Sequence, residues 1–166
     1  VPMGIAQAAT VRIGHAAGRR DPVGIARAGW TSFTIGTGFM AAMAVLMWAF
    51  REALIALFID TSDPMNAPVV PLAAAFLGIA ALFQIFDGAQ AVGARMLRGL
   101  HDTKVPMAFA LFGYWGVGLG MAVGLGSGLG WEGVGIWTGL AAGLAVVAIL
   151  MLARWSRRER LGLVDV

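Results

Sequence analysis

Cysteine is absent from the 166 residues. That excludes a disulfide framework and a thiolate metal site. Histidine is nearly absent. His15 and His101 are the only two, and both sit in basic, loop-like stretches that make a poor zinc site. Charge is scarce too. Asp, Glu, Lys and Arg make up 13% of the chain, against about 25% in soluble domains, which is too little to coat a water-facing globule. Nucleotide and hydrolase signatures are missing: there is no GxxxxGK(S/T) loop, no HExxH and no Ser–His–Asp arrangement. The chain therefore reads as a non-enzyme without a cofactor, and an ATP-driven pump would take its motor from elsewhere. No signal-peptide pattern and no initiator Met opens the sequence. The first residues already read as membrane helix, so the expectation is a fragment cut inside or just before a span.

What is present is apolar. Hydrophobic residues make up 59% of the chain, and residues 28–50, 64–86, 105–131 and 133–153 carry no Asp, Glu, Lys or Arg. About 20 mainly apolar residues suffice to cross about 30 Å of hydrocarbon as a helix. A buried soluble core rarely supplies four uncharged runs of that length. The expected fold is an all-α, polytopic transmembrane bundle. Its spans are expected at about 1–17, 28–50, 68–97, 106–126 and 134–153, with a basic tail at 154–166. Pro2, Pro68, Pro71 and Pro106 fall at span starts, where a missing N–H costs little.

The basic residues orient the bundle. Arg12, Arg19, Arg20 and Arg27 flank the first connection, Arg95, Arg98 and Lys104 the third, and Arg154, Arg157, Arg158 and Arg160 the end of the last span. In a serpentine chain all eleven lie on one side, and Arg51 lies alone on the other with Glu52, Asp60, Asp63 and Glu132. Excess Lys and Arg mark the cytoplasmic side, so the expected location is the plasma (inner) membrane, multi-pass, with a cytoplasmic C-terminus. The sequence pI near 10.6 arises from charge split among membrane-edge loops, which is no nucleic-acid surface. The expected partner is the lipid bilayer.

Asp87 is the residue that points to chemistry. It stands eleven residues before the basic edge at Arg98, about 16 Å into the membrane. A carboxylate at that depth costs at least about 2.5 kcal/mol and normally faces a cavity or a partner. Loss of water disfavours its charged form, so it can alternate between protonated and cation-bound states. The alternative is a structural aspartate paired with an Arg or a backbone N–H. Gln84 and Gln90 lie three residues either side, and Phe83 four residues before, so all are expected near the Asp87 face and lining a cavity. Gln7 and Thr10 on the first helix are further cavity candidates, or helix-to-helix hydrogen-bond partners. Arg98 and Asp102 read as cytoplasmic loop charges.

Glycine is abundant at 24 residues. Gly116, Gly120, Gly124 and Gly128 form an unbroken GxxxG series, the spacing of a close helix-packing face. Gly139 and Gly143 form a second pair. Gly113, Gly118 and Gly126 interrupt the single-face reading and suggest a bendable helix. Trp30, Trp48, Trp131, Trp137 and Trp155 fall near span ends, where an aromatic belt is expected.

Three segments carry a family resemblance. VPMGIAQAATVRIGHAAGRRDP, FQIFDGAQAVGARMLRGLHDTKVP and FGYWGVGLGMAVGLGSGLGWEGVGIWTGLAAGLAV together resemble multidrug and toxin extrusion (MATE) transporters, of the NorM- and DinF-like kind, and the middle segment resembles their tenth helix and the loop after it. The resemblance implies a twelve-helix protein in two six-helix lobes with both termini cytoplasmic, of which this chain would supply helices eight to twelve. It implies antiport of organic cations or drugs against Na+ or H+, with the amino-terminal lobe of the same protein and small cationic or amphipathic substrates as partners. Asp87 then matches the tenth-helix acidic position implicated in cation coupling in the NorM-like branch. Phe83 stands where some members have a tyrosine, and Arg95 stands where a small residue is expected. A second acidic group of that branch lies on helix seven, outside this chain. Two other readings remain: a lipid-linked oligosaccharide flippase of the same superfamily, which needs more basic residues in its cavity than Arg12 and Arg95, and a non-transporting membrane scaffold held by glycine faces.

Overall fold

The computed structural model describes residues 1–164. Its first helices, α1 (Pro2–Gly18) and α2 (Pro22–Ala49), each begin with proline, whose missing N–H falls where no helical partner exists. Asp21 caps α2 by accepting from the Gly24 N–H at 2.8 Å. A short helix, α3 (Arg51–Ala56), and a 3-10 turn (Pro64–Asn66) lead to α4 (Val69–Gly99). Next comes an unbroken rod from Lys104 to Gly128. It starts as α5 (Lys104–Leu111), widens to π-helix over Phe112–Leu119, tightens to α6 (Gly120–Val123) and widens again over Gly124–Gly128. The last helix is α7 (Glu132–Ser156).

Four of these, α2, α4, the rod and α7, are long and apolar enough to cross a membrane. With 17 residues, α1 is about 25 Å long, shorter than the others. The order of packing is simple. Helix α4 is central and touches α1, α2 and α7, while the rod lies chiefly on α7. The fold is an all-α polytopic bundle, as composition implied.

The same turn ends two helices and recurs beyond a third. Arg20 and His101, at φ 52° and 61°, occupy the left-handed position just after α1 and α4, and Gly162, at φ 63°, occupies it in the turn segment that follows α7. In each case the next residue reaches back five positions (Asp21 to Ala16, Asp102 to Leu97, Leu163 to Arg158) to bond a backbone carbonyl. The chain thereby reverses sharply, and antiparallel neighbours follow.

The buried core lies toward the end of the bundle that carries these turns. Ile13, Ile25, Val92, Met96, Met151 and Trp155 pack together there, with Ala6 and Ala9 letting α1 close in. The apolar stretch of α4 toward the other end is mostly uncovered, as expected of a surface solvated by lipid or by further helices.

Two sequence expectations need correction. The Gly116, Gly120, Gly124, Gly128 series is not the face on which the rod packs within this chain. A Cβ at Gly120, Gly124 or Gly128 would meet nothing within 4 Å, and one at Gly116 would meet only Phe112 of its own rod. The glycines that pack are Gly113, Gly118 and Gly126, which with Ala122 lie against Gly143, Gly139 and Gly135 of α7. Each π turn takes one residue more than an α turn, so the seam steps by five and then by four along the rod. The interrupting glycines are thus the seam itself.

Trp155 is not part of an interfacial belt. It is fully buried, laid on Gly29 of α2, with the Arg158 guanidinium 5.0 Å over its ring. The other five tryptophans, Trp115 included, are exposed. The basic tail folds back on the bundle. Helix α7 ends at Ser156, and the chain turns so that Leu163 and Val164 pack on the core. Residues 165–166 of the expected tail lie outside the described residues.

Candidate functional site

Small residues bring neighbours close to α4 around Asp87. Gly88 lies under Met40 of α2, where an added Cβ would come within 2.6 Å of the Met40 Cγ, and Gly93 lies against Met151 of α7. Asp87 itself points away from these contacts. It is exposed, and among the described residues it has no hydrogen bond or ion pair, in contrast to Asp21, Asp60, Asp63 and Asp102. No Arg or backbone N–H among the described residues serves as the partner that the structural-aspartate reading calls for.

Gln90, Ala94 and Arg98 follow Asp87 by three, seven and eleven residues and continue its face toward the basic end. There they line a cavity of about 340 Å³ between α4 and the start of the rod, with Met151 of α7 among its walls. Asp102, Thr103 and Lys104 rim it. Asp102 is buried and ion-paired with Arg154, so the Arg98 and Lys104 charges leave the rim positive. Tyr114, the only tyrosine in the chain, lies on the rod within electrostatic reach of Asp87. Phe83 has no hydroxyl to offer, and Tyr114 presents one from another helix. Its being the sole tyrosine is the one signal in the sequence, and spacing does not connect it to α4.

Other site expectations are redirected. Phe83 packs edge-on against Trp137 of α7, with centroids 5.8 Å apart. Gln84 does not share a cavity with Asp87. Its amide donates to the Met47 Sδ of α2 at 3.3 Å, because a three-residue step turns it onto the α2 side. The Thr10 hydroxyl donates to the Arg95 carbonyl at 3.0 Å and ties α1 to α4, which is its helix-to-helix alternative. Gln7 is exposed on α1. Arg98 and Asp102 are brought together at the groove mouth. No group of three or more His, Cys, Asp or Glu gathers among the described residues, so a cation at Asp87 would rest on one carboxylate of this chain.

The chain is similar to known proteins. The MatE family model matches residues 1–123. A relative named "Probable multidrug resistance protein NorM" from Mesorhizobium japonicum is 59% identical over 161 residues, covering 97% of this chain and 34% of that protein. One of the same name from Brucella suis is 57% identical over 157 residues, covering 95% and 33%. "Multidrug resistance protein NorM" from Burkholderia vietnamiensis is 46% identical, covering 93% and 34%. The chain thus spans about a third of the length of the curated relatives it matches. In structure it is similar to the eukaryotic MATE transporter AtDTX14, with a TM-score of 0.80 at 22% identity, over 98% of this chain and 37% of that one; at that identity the likeness is one of fold. A polytopic bundle with an unpaired carboxylate on its central helix, and a family model matched from the first residue through most of the rod, lead to one conclusion: this chain belongs to the MatE family.

Proposed function

We propose that the chain is the carboxy-terminal transmembrane lobe, helices eight to twelve, of a cation-coupled multidrug exporter of the plasma (inner) membrane, and that Asp87 carries the coupling. The observation behind this reading is the unpartnered Asp87 carboxylate midway along the central helix. An ionised carboxylate there costs at least about 2.5 kcal/mol until something compensates it. A proton or Na+ does so. Whichever conformation offers the better-compensated Asp87 is then favoured by the ion, since an ion shifts an equilibrium only through differential affinity. An organic cation that meets Asp87 in the other conformation competes for the same charge, which couples export to ion entry. If the ion is Na+, Asp87 is the carboxylate ligand this chain offers, and other oxygen ligands come from this chain, water or the amino-terminal lobe. The gathering of basic residues at the ends of α1 and α4 and after α7 supports a cytoplasmic carboxy-terminus.

The test is Asp87→Asn in the intact protein, reconstituted in vesicles with an imposed Na+ or H+ gradient. Gradient-driven efflux of a fluorescent organic cation should fall to the level of empty vesicles. Unimpaired efflux at normal protein content sinks the assigned role.

A further inference from the structure

A second cavity has a different chemistry. It lies between α1 and α2, measures about 390 Å³, and is lined by Arg12, Arg19, Arg27, Asp21, Thr31 and Ser32. Arg12 and Arg19 share one face of α1, seven residues apart. Arg27 and Thr31 share one face of α2, four residues apart. Three guanidinium groups therefore border one cleft. Among the described residues none of the three has an ion pair or a hydrogen bond. Asp21 is the one carboxylate present, and one of its oxygens already caps α2. The cleft is thus two positive charges in excess, with the Thr31 and Ser32 hydroxyls beside them. Guanidinium groups with hydroxyls suit an oxyanion better than a neutral ligand, because the fork of N–H donors pairs bidentately with phosphate or carboxylate oxygens.

The level of the cleft identifies the oxyanion. Arg12 lies seven residues along α1 from Arg19, about 10 Å further from the turn, where an unpaired charge meets hydrocarbon. Trp30, between Arg27 and Thr31, is exposed and stands edge-on to Phe33, the position an interfacial tryptophan takes among headgroups. Ala16 and Ala28 also line the cleft and give it an apolar wall against which a glycerol backbone can lie. We propose that the α1–α2 cleft is a binding site for the headgroup of an anionic phospholipid, held by Arg12, Arg19 and Arg27. Basic pockets between transmembrane helices are where such headgroups bind, and the lipid would stabilise the α1–α2 hairpin at its charged end.

The experiment uses the intact protein in neutral detergent, with native mass spectrometry reading retained lipid after addition of phosphatidylglycerol or phosphatidylcholine. Wild type should retain phosphatidylglycerol selectively, and the Arg12→Gln/Arg27→Gln double substitution should weaken retention by about tenfold or more. Arg12→Lys/Arg27→Lys should keep part of it, which separates lost charge from lost fold. Arg51→Gln, at the opposite end of the bundle, should leave it unchanged. Equal retention by wild type and the double Gln variant overturns the proposal, as does equal retention of the two lipids. Displacement of phosphatidylglycerol by millimolar inorganic phosphate from wild type overturns the lipid assignment and leaves a free-phosphate site.

Discussion

Gly143→Ala is the sharpest test of how the rod sits on α7. A Cβ at Gly143 would lie 2.6 Å from the Gly113 carbonyl oxygen, 2.7 Å from the Gly118 Cα and 3.0 Å from the Gly118 nitrogen. All three are backbone atoms of the rod, so no side chain can swing aside. Ordinary contact begins near 3.4 Å, which asks the rod to retreat by about 0.8 Å. A gap of 0.5–1 Å forfeits about a quarter to a half of the dispersion energy of the atoms facing it, and the loss spreads along a seam that also includes Ala122 on Gly139 and Gly126 near Gly135. Overpacking of this kind costs about 1–3 kcal/mol. Gly120→Ala is the matched control. It adds the same methyl to the rod at a position where nothing lies within 4 Å, and it should change stability by no more than about 0.5 kcal/mol. Thermal unfolding of the intact protein in detergent, followed by intrinsic fluorescence, should show a clear drop in midpoint for Gly143→Ala and little change for Gly120→Ala. Equal midpoints, or a larger loss for Gly120→Ala, would refute the seam and restore the GxxxG face.

Arg154→Gln should destabilise by about 3 kcal/mol, because it leaves Asp102 buried without its ion pair; replacing both residues with Leu should cost less, as the same unfolding assay will show. His101→Gly should stabilise by about 1 kcal/mol by relieving a positive φ, and a lower midpoint than wild type would count against the turn geometry. Asp60, in the loop between α3 and α4, has its carboxyl held below its ordinary 3.8 by hydrogen bonds from the Ser62 hydroxyl and N–H. A depressed carboxylate gives a stabilisation that is present above the unfolded value and lost as pH falls through the folded one. Ser62→Ala should therefore raise the Asp60 midpoint toward 3.8, measured by carboxyl carbon NMR, and an unmoved midpoint would refute the assigned cause.

The sequence by itself determined the class of the protein and the place of its helices. Charge-free runs of spanning length leave little alternative to membrane helices, and prolines at span starts and charged turns between them fix where those helices begin and end. Asp87 was legible for the same reason: an acidic residue inside an apolar run is conspicuous whatever lies around it. What a side chain faces was not legible, because that depends on helix phase and on the neighbour that happens to be packed there. Two π segments in the rod shifted the phase, and the contact seam moved from Gly116, Gly120 and Gly124 to Gly113, Gly118 and Gly126. Gln84 and Gln90 are equally spaced from Asp87, yet one meets Met47 and the other lines the groove. Asp21 and Asp102 occupy the same position of the same turn. One caps its own helix, and the other reaches Arg154, 52 residues away. Local sequence sets the turn, and only the packing of α7 against it decides which partner the carboxylate finds.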